Sequence, residues 1–407
     1  MADFADMEGG DERGDERGGE REDGTDGAPE VVQGSAPKGD QGPGPLPLEL
    51  GLRLPAEWET HEATWLAWPH NADDWPGRLE RIFPVFETLI AELSESERVR
   101  LVVADGAMGR AVQRQLARRG VEGGQLELFE APTDRSWIRD WAPLCVVGSG
   151  RLGAVKWRFD GWARYDDCAR DDAAGRSITA ALGAPSWEPS VHLGGAPARI
   201  VLEGGGIDVD GEGSALLSEQ CMLDGPYARN PGLGREALEE ALRSYLGVER
   251  VLWVGAGIAG DDTSGHVDDF IRFALPGRVL LCRDRDPSSP NHAPLEDAWR
   301  RMRGVLDARG RALELIELPM PAPVLWEGEI LPASYANFYI ANDRVLVPVF
   351  DDPQDAHALG VIGEVFSPRR AVAVPARDLV LGLGTVHCST MQQPALPPRG
   401  GARPGGV

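Results

Sequence analysis

Ala336-Asn337-Phe338-Tyr339-Ile340 and Val345-Leu346-Val347-Pro348-Val349-Phe350 are two apolar runs separated by Ala341-Asn342-Asp343-Arg344. A polar turn between two such runs is a hairpin signal. Asp352-Pro353 follows, with Asp355 shortly after. An acidic cap, a proline at the first helical position and an acid in the first turn start a helix. That helix is expected to run to about Phe366, and Ala371-Val372-Ala373-Val374 reads as a closing strand. The unit is therefore strand, turn, strand, helix, strand.

Working outward, the same order recurs. At 270–318, Phe270 to Ala274 and Arg278 to Cys282 flank Pro276-Gly277, followed by a helix over 294–308 and a strand from Leu313 to Leu318. At 201–254, a turn at Asp210-Gly211 leads to a strand Ala215 to Leu217, a helix over 235–246 and a strand Val251 to Val254. At 143–193, Cys145 to Val147 and Leu152 to Trp157 flank a Gly-Ser-Gly turn, with a helix over 172–182 and a strand near 191–193. The copy at 62–105 has a strand Thr64 to Trp68, a helix over 78–93 and a strand Val99 to Val103, with an extra helix over 107–119. It lacks its second hairpin strand, which the apolar run Asp378 to Leu381 is expected to supply by closing a ring. Five copies spaced by roughly 50–70 residues predict an α/β fold of ββαβ repeats, with sheets set radially about a pseudo-fivefold axis.

Bulk properties narrow the partners. The chain has 407 residues, 42% of them hydrophobic, enough for a large core. Its formal net charge of −24 argues against nucleic acid and anionic membranes and is compatible with a small cationic substrate. Residues 1–45 are dominated by Gly, Asp and Glu, with Asp-Glu-Arg-Gly repeated at 11–14 and 15–18. This segment is expected to be a disordered acidic tail, because it holds too little apolar surface to offset its ordering entropy. A single domain over 46–396 and a flexible tail over 397–407 complete the division. The five cysteines, at 145, 168, 221, 282 and 388, show neither a CxxC pair nor a disulfide framework. No apolar run long enough to span a membrane and no signal peptide is evident, so a cytoplasmic location is expected.

Chemistry-bearing residues cluster at one phase of the repeat, the start of each hairpin. Asp134 to Pro143 carries Trp137 and Asp140; Glu203 precedes Gly204-Gly205-Gly206; Asp262, His266 and Asp268 precede the fourth hairpin; Cys388 lies in a Gly382–Gln393 loop. In a fivefold ring these positions converge on the axis. Alone, Cys388 reads as a buried thiol sooner than as a nucleophile; a nucleophilic role requires a base and an electropositive setting. Together the residues fit attack on a guanidinium. Asp140 and Asp268 bind its N–H groups and Trp137 stacks on its face. Cys388 attacks the central carbon, His266 serves as acid and then base, and Glu203 orients His266. On an extended segment His266 and Asp268 point to one side. His387 then points away and reads as structural. Other readings of single residues are a local Asp140–Arg139 salt bridge, a metal-binding His266–Asp268 pair without zinc-ligand spacing, and a phosphate loop at Gly204–Gly206 that lacks its lysine and helix.

With these residues in place, the sequence resembles the agmatine deiminase and bacterial-type peptidylarginine deiminase family of the guanidino-modifying (pentein) superfamily. The resemblance covers about 54–395. Its motifs are Pro55-Ala56-Glu57-Trp58 through Pro69, Asp134 to Pro143, Val201 to Gly205 with Ile207 to Gly211, Asp262 to Asp268, Pro332 to Tyr339, Phe350 to Pro353 and the Cys388 loop. It implies a five-bladed α/β propeller and hydrolysis of agmatine to N-carbamoylputrescine and ammonia, with no cofactor or metal. Cys388 is the implied nucleophile and His266 the acid/base. Asp140 and Asp268 hold the guanidinium, Glu203 supports, and Trp137 and Asp262 are further substrate contacts. The implied partner is a small cationic guanidine, and the assembly leaves room for a homodimer. In the family the loop before the cysteine commonly reads Gly-Gly-Gly-Asn-Ile-His-Cys-Ile; Leu383, Thr385 and Ser389 differ here. Arg164, in a segment that agmatine deiminases fill with Gly, Tyr and Trp, suggests as an alternative a carboxylated guanidine such as arginine or a C-terminal peptidylarginine. An amidinotransferase is the other alternative.

Overall fold

The structure is a computed structural model that describes residues 31–32, 44–121, 125–193 and 195–396. The expected tail over 397–407 lies outside the described residues, as does nearly all of 1–45. The final repeat sets the pattern. Tyr339–Ile340 pairs antiparallel with Arg344–Val349, which pairs parallel with Arg370–Pro375 across the helix Asp355–Val365. The strand in the middle is buried over most of its length, as a strand covered on both faces must be.

The antiparallel-then-parallel order repeats in three more sheets. Ile271–Leu275, Arg278–Arg283 and Glu314–Pro319 form one, with the helix His292–Met302 as crossover. Asp208–Val209, Ser214–Ser218 and Arg250–Val254 form another, around the helix Arg235–Leu246. Leu144–Gly148, Arg151–Val155 and Ser186–Trp187 form the third, around Ala169–Ala181. Each crossover helix turns apolar residues onto its sheet. In Arg235–Leu246 these are Leu238, Ala241, Leu242 and Tyr245, at helical spacing and buried.

Several boundaries differ from expectation; the helix expected over 294–308 ends at Met302, and the strand expected from Ala336 begins at Tyr339. The second repeat closes on Ser186–Trp187. Residues near 191–193 instead form a separate hairpin, Ser190–Leu193 with Ala196–Arg199. The last helix starts at Asp355 and not at Asp352, because the Asp355 carboxylate faces back to accept the Phe350 and Asp352 backbone N–H groups. The expected strand Asp378 to Leu381 does not form. Leu379–Gly382 is a 3-10 turn pinned by the Trp75 indole N–H, which donates to the Leu379 carbonyl at 2.9 Å.

The antiparallel partner of the first repeat's strand is a strand after the cysteine. Met391–Pro394 pairs antiparallel with His61–Ala67, which continues in parallel through Arg98–Val103 to Leu126–Glu130. The first and last parts of the chain thus share one sheet, and the Cys388 loop is held between the 3-10 turn and this closing strand. The result is a mixed α/β fold. Among the described residues, no helix is long and apolar enough to cross a membrane.

Candidate active site

The loops that start successive hairpins are hydrogen-bonded to one another. Arg139 N donates to the Cys388 carbonyl at 3.2 Å, Gly205 N to Asp140 Oδ1 at 2.9 Å, Asp268 N to the Gly205 carbonyl at 3.3 Å, and His387 N to the Asn337 carbonyl at 3.0 Å. Segments far apart in sequence are thereby fixed around a shared centre. Gly205 lies where they meet. A β-carbon there would fall 2.6 Å from His266 Nδ1, 2.9 Å from Asp140 Oδ1 and 3.0 Å from Asp268 Oδ2. Gly205→Ala is therefore expected to reduce turnover by at least about a hundredfold, by displacing three functional groups at once. Steady-state kinetics with circular dichroism as a folding control measures this.

Asp140 ends a one-turn helix, Ile138–Trp141. His266 stands before a 3-10 turn, Val267–Asp269, which replaces the extended geometry expected of the His266–Asp268 pair. That turn still brings the two groups together: His266 Nδ1 lies 3.9 Å from Asp268 Oδ1 and 3.8 Å from Asp140 Oδ1. Its Nε2 lies 3.8 Å from Glu203 Oε2. Cys388 Sγ lies 3.8 Å from Asp268 Oδ2. All five groups are buried.

The local electrostatics differ from the electropositive setting a nucleophilic cysteine was expected to need. Burial, then Asp268, Asp269 and Asp140, push the Cys388 thiol well above its ordinary value. Burial also raises Asp140, against the pull of His266. For His266, burial works downward. Asp140 and the neighbouring Cys221 and Glu203 outweigh it, leaving the imidazole well above its ordinary value. Burial would raise Glu203, yet Arg229 and His266 bring it down to about 2. The Arg229 guanidinium donates to Glu203 at 2.6 Å. The thiol and the imidazole are therefore surrounded by carboxylates.

The surrounding residues correct several single-residue readings. Arg139 does not pair with Asp140. It reaches Gln392 at 2.7 Å and Glu57 at 3.3 Å. His387 does not point away from the site. Its Nδ1 meets Asp268 Oδ2 at 2.7 Å and its Nε2 meets Glu57 Oε2 at 2.8 Å. Those bonds fix the carboxylate of Asp268 beside the sulfur and, with Arg272, hold Asp268 below its ordinary value against burial. Trp137 is buried against Trp75, with ring centroids 5.3 Å apart, and borders Gly384 in the Cys388 loop. Asp262 accepts from the Tyr165 hydroxyl at 2.7 Å; burial pushes it up to about 6. The Arg164 guanidinium lies 4.0 Å over the Tyr227 ring.

Sequence reasoning missed Trp162, whose indole N–H donates to Asp140 Oδ2 at 2.9 Å from a loop with φ +59 at that residue. It also missed Asn337, Glu57 and Arg229 as site groups. Glu57 and Asn337 stand in quoted motifs, but nothing in their spacing places them beside Cys388. Two buried triplets, Glu203–Cys221–His266 and Asp268–Asp269–Cys388, have donor atoms within 4.8 Å of one another. The Arg229 cation against Glu203 disfavours a metal in the first, and neither has zinc-ligand sequence spacing.

A family model described as Porphyromonas-type peptidyl-arginine deiminase matches residues 53–394. The chain belongs to this family. Among similar proteins, the agmatine deiminase of Ectopseudomonas mendocina is 35% identical over 373 residues, covering 86% of this chain and 97% of that protein. An agmatine deiminase of Pseudomonas aeruginosa is 34% identical over 377 residues, covering 87% and 98%. The solved agmatine deiminase of Enterococcus faecalis superposes with a TM-score of 0.77 at 32% identity, covering 86% of this chain and 98% of its own. These relatives therefore align over most of this chain and nearly their own full length.

Proposed function

We propose that this protein is an agmatine deiminase, hydrolysing the guanidine of agmatine to N-carbamoylputrescine and ammonia. The observation that carries the reading is the site's composition: one thiol and a histidine enclosed by Asp140, Asp268 and Glu203. Full-length likeness to agmatine deiminases supports it.

A guanidinium entering between Asp140 and Asp268 places a further positive charge beside the sulfur, and its field favours loss of the Cys388 thiol proton to solvent and formation of the thiolate. Binding and activation of the nucleophile are then one event. The thiolate forms a bond to the guanidine carbon. His266, held protonated by Asp140, donates its proton to the departing nitrogen. The C–N bond breaks, ammonia leaves and an S-linked thiouronium remains. Neutral His266 next takes a proton from water, the hydroxide adds to the same carbon, and the C–S bond breaks. The ureido product forms, and the hydroxyl proton balances ammonia to ammonium. Glu203, fixed by Arg229, keeps the imidazole oriented. Trp137 and Asp262 contact the substrate.

The same reading takes the five sheets as blades of a pseudo-fivefold ββαβ propeller with the convergent loops at its axis. It takes 46–396 as one catalytic domain and extends to a cytoplasmic homodimer. The carboxylated-guanidine alternative rested on Arg164; its stacking on Tyr227 gives that cation a partner within the chain. The relatives also favour agmatine. Ammonia and ureido release from agmatine and arginine, measured side by side, tests the choice. Agmatine should be turned over at least about a hundredfold more efficiently; preference for arginine would overturn it, and amidino transfer without ammonia would place the chain among transferases.

A further inference from the structure

Cys388 faces carboxylates on several sides, yet its mechanism needs a sulfur anion. The groups that donate to the sulfur are therefore informative. Asn337, in the loop before Tyr339–Ile340, is 1% exposed. Its Nδ2 lies 3.1 Å from Cys388 Sγ and 3.0 Å from Asp269 Oδ1. Its Oδ1 accepts from the Thr385 hydroxyl at 2.6 Å and from His387 N at 3.0 Å. These partners settle the amide's orientation. Flipping it would set the oxygen against the Asp269 carboxylate and the NH2 group against two donors. The N–H that faces the sulfur is therefore fixed at both ends. Of the two hydrogens on Nδ2, one serves Asp269 and the other is free for Sγ.

We propose that Asn337 is a catalytic residue whose amide N–H, aimed by Asp269, the Thr385 hydroxyl and the His387 backbone N–H, stabilises the Cys388 thiolate before attack and again when the sulfur leaves. A hydrogen bond to an anion is worth more than one to a neutral group, so this donor acts on the anion selectively. Asn337 in this role complements the substrate: the guanidinium brings the charge, and the amide brings a donor that is already in place.

The inference rests on Cys388 being the nucleophile of the proposed reaction, but its test needs no substrate. Iodoacetamide alkylation of Cys388 in the full-length enzyme, followed by mass spectrometry of its peptide from neutral to alkaline pH, gives a midpoint and a limiting rate. In Asn337→Ala the midpoint should move to higher pH, with alkylation at neutral pH slower by about tenfold or more. Asn337→Asp retains an acceptor for Thr385 and His387 and should move the midpoint at least as far; it also serves if the alanine variant does not fold. A role confined to supporting the loop changes the limiting rate and leaves the midpoint in place, which would overturn the proposal. Unchanged profiles in both variants would overturn it as well. Failure of the functional reading shows separately, as agmatine turnover that survives Cys388→Ser.

Discussion

Cys388→Ser is expected to release ammonia from agmatine at least about ten-thousandfold more slowly than the wild type, with the fold intact. A serine hydroxyl is far harder to ionise than a thiol, and no base in the site is strong enough to compensate. The pocket is lined by Asp140, Asp268 and Glu203, and burial with the neighbouring acids already raises the thiol. An alkoxide there would be less accessible still. The substitution removes one atom's worth of chemistry and little packing, since Cys388 is held by its loop: Arg139 N donates to its carbonyl at 3.2 Å. Guanidine binding should survive, so agmatine should still protect the variant against thermal unfolding. Loss of both binding and turnover would point to a damaged site, and ammonia assays with thermal shifts separate the two.

His266→Gln is the second large effect. Removing the proton carrier should cost about a hundred- to ten-thousandfold in kcat. The pH dependence is the sharper readout. His266 is raised well above its ordinary value, so the folded protein holds the imidazolium over a wider range than a free histidine would. The imidazolium is the form that protonates the leaving nitrogen. Wild-type activity should therefore persist above the ordinary histidine range and fall only as pH rises through the elevated value. The same raised value stabilises the fold: that contribution is fully present below the unfolded histidine's value and is lost as pH rises through the folded one. In His266→Gln the alkaline fall assigned to the imidazolium should vanish from kcat. A variant that retains the wild-type alkaline limb would assign the proton to another group.

Much of this architecture was legible because each repeat carries its own local signals. A turn between apolar runs, a helix with one apolar face and a second apolar strand could be read from residues a few positions apart. The prediction failed where tertiary contacts decide. Asp378 to Leu381 is apolar enough for a strand, but Trp75 takes the Leu379 carbonyl, and packing against Trp75 and Trp137 leaves no room at Gly382 for a side chain. The run is therefore coiled into a turn, and the closing strand falls after the cysteine. The site followed the same rule. Shared repeat phase was enough to gather Cys388, His266, Asp140, Asp268 and Glu203. It gave no way to see that His387 would bridge Asp268 and Glu57, or that Asn337 would turn its amide toward the sulfur. Those contacts depend on the angles at which loops from different sheets meet.

The carboxylate-rich pocket also bears on selectivity. Asp140 already accepts from Gly205 N and Trp162 Nε1, so its charge is oriented before any ligand arrives. A neutral ureido group gains nothing from that charge, while a guanidinium does. The pocket should therefore release what it makes, and product inhibition should be weak.

The central claim, a covalent bond between Cys388 and the guanidine carbon, is tested most directly by quenching the enzyme in acid during turnover of agmatine labelled at that carbon and locating the label by peptide mass spectrometry. The label is expected on the peptide that contains Cys388 in the wild type and on no peptide in Cys388→Ala. Label on a different residue, or a Cys388→Ala variant that releases ammonia at the wild-type rate, would contradict the account.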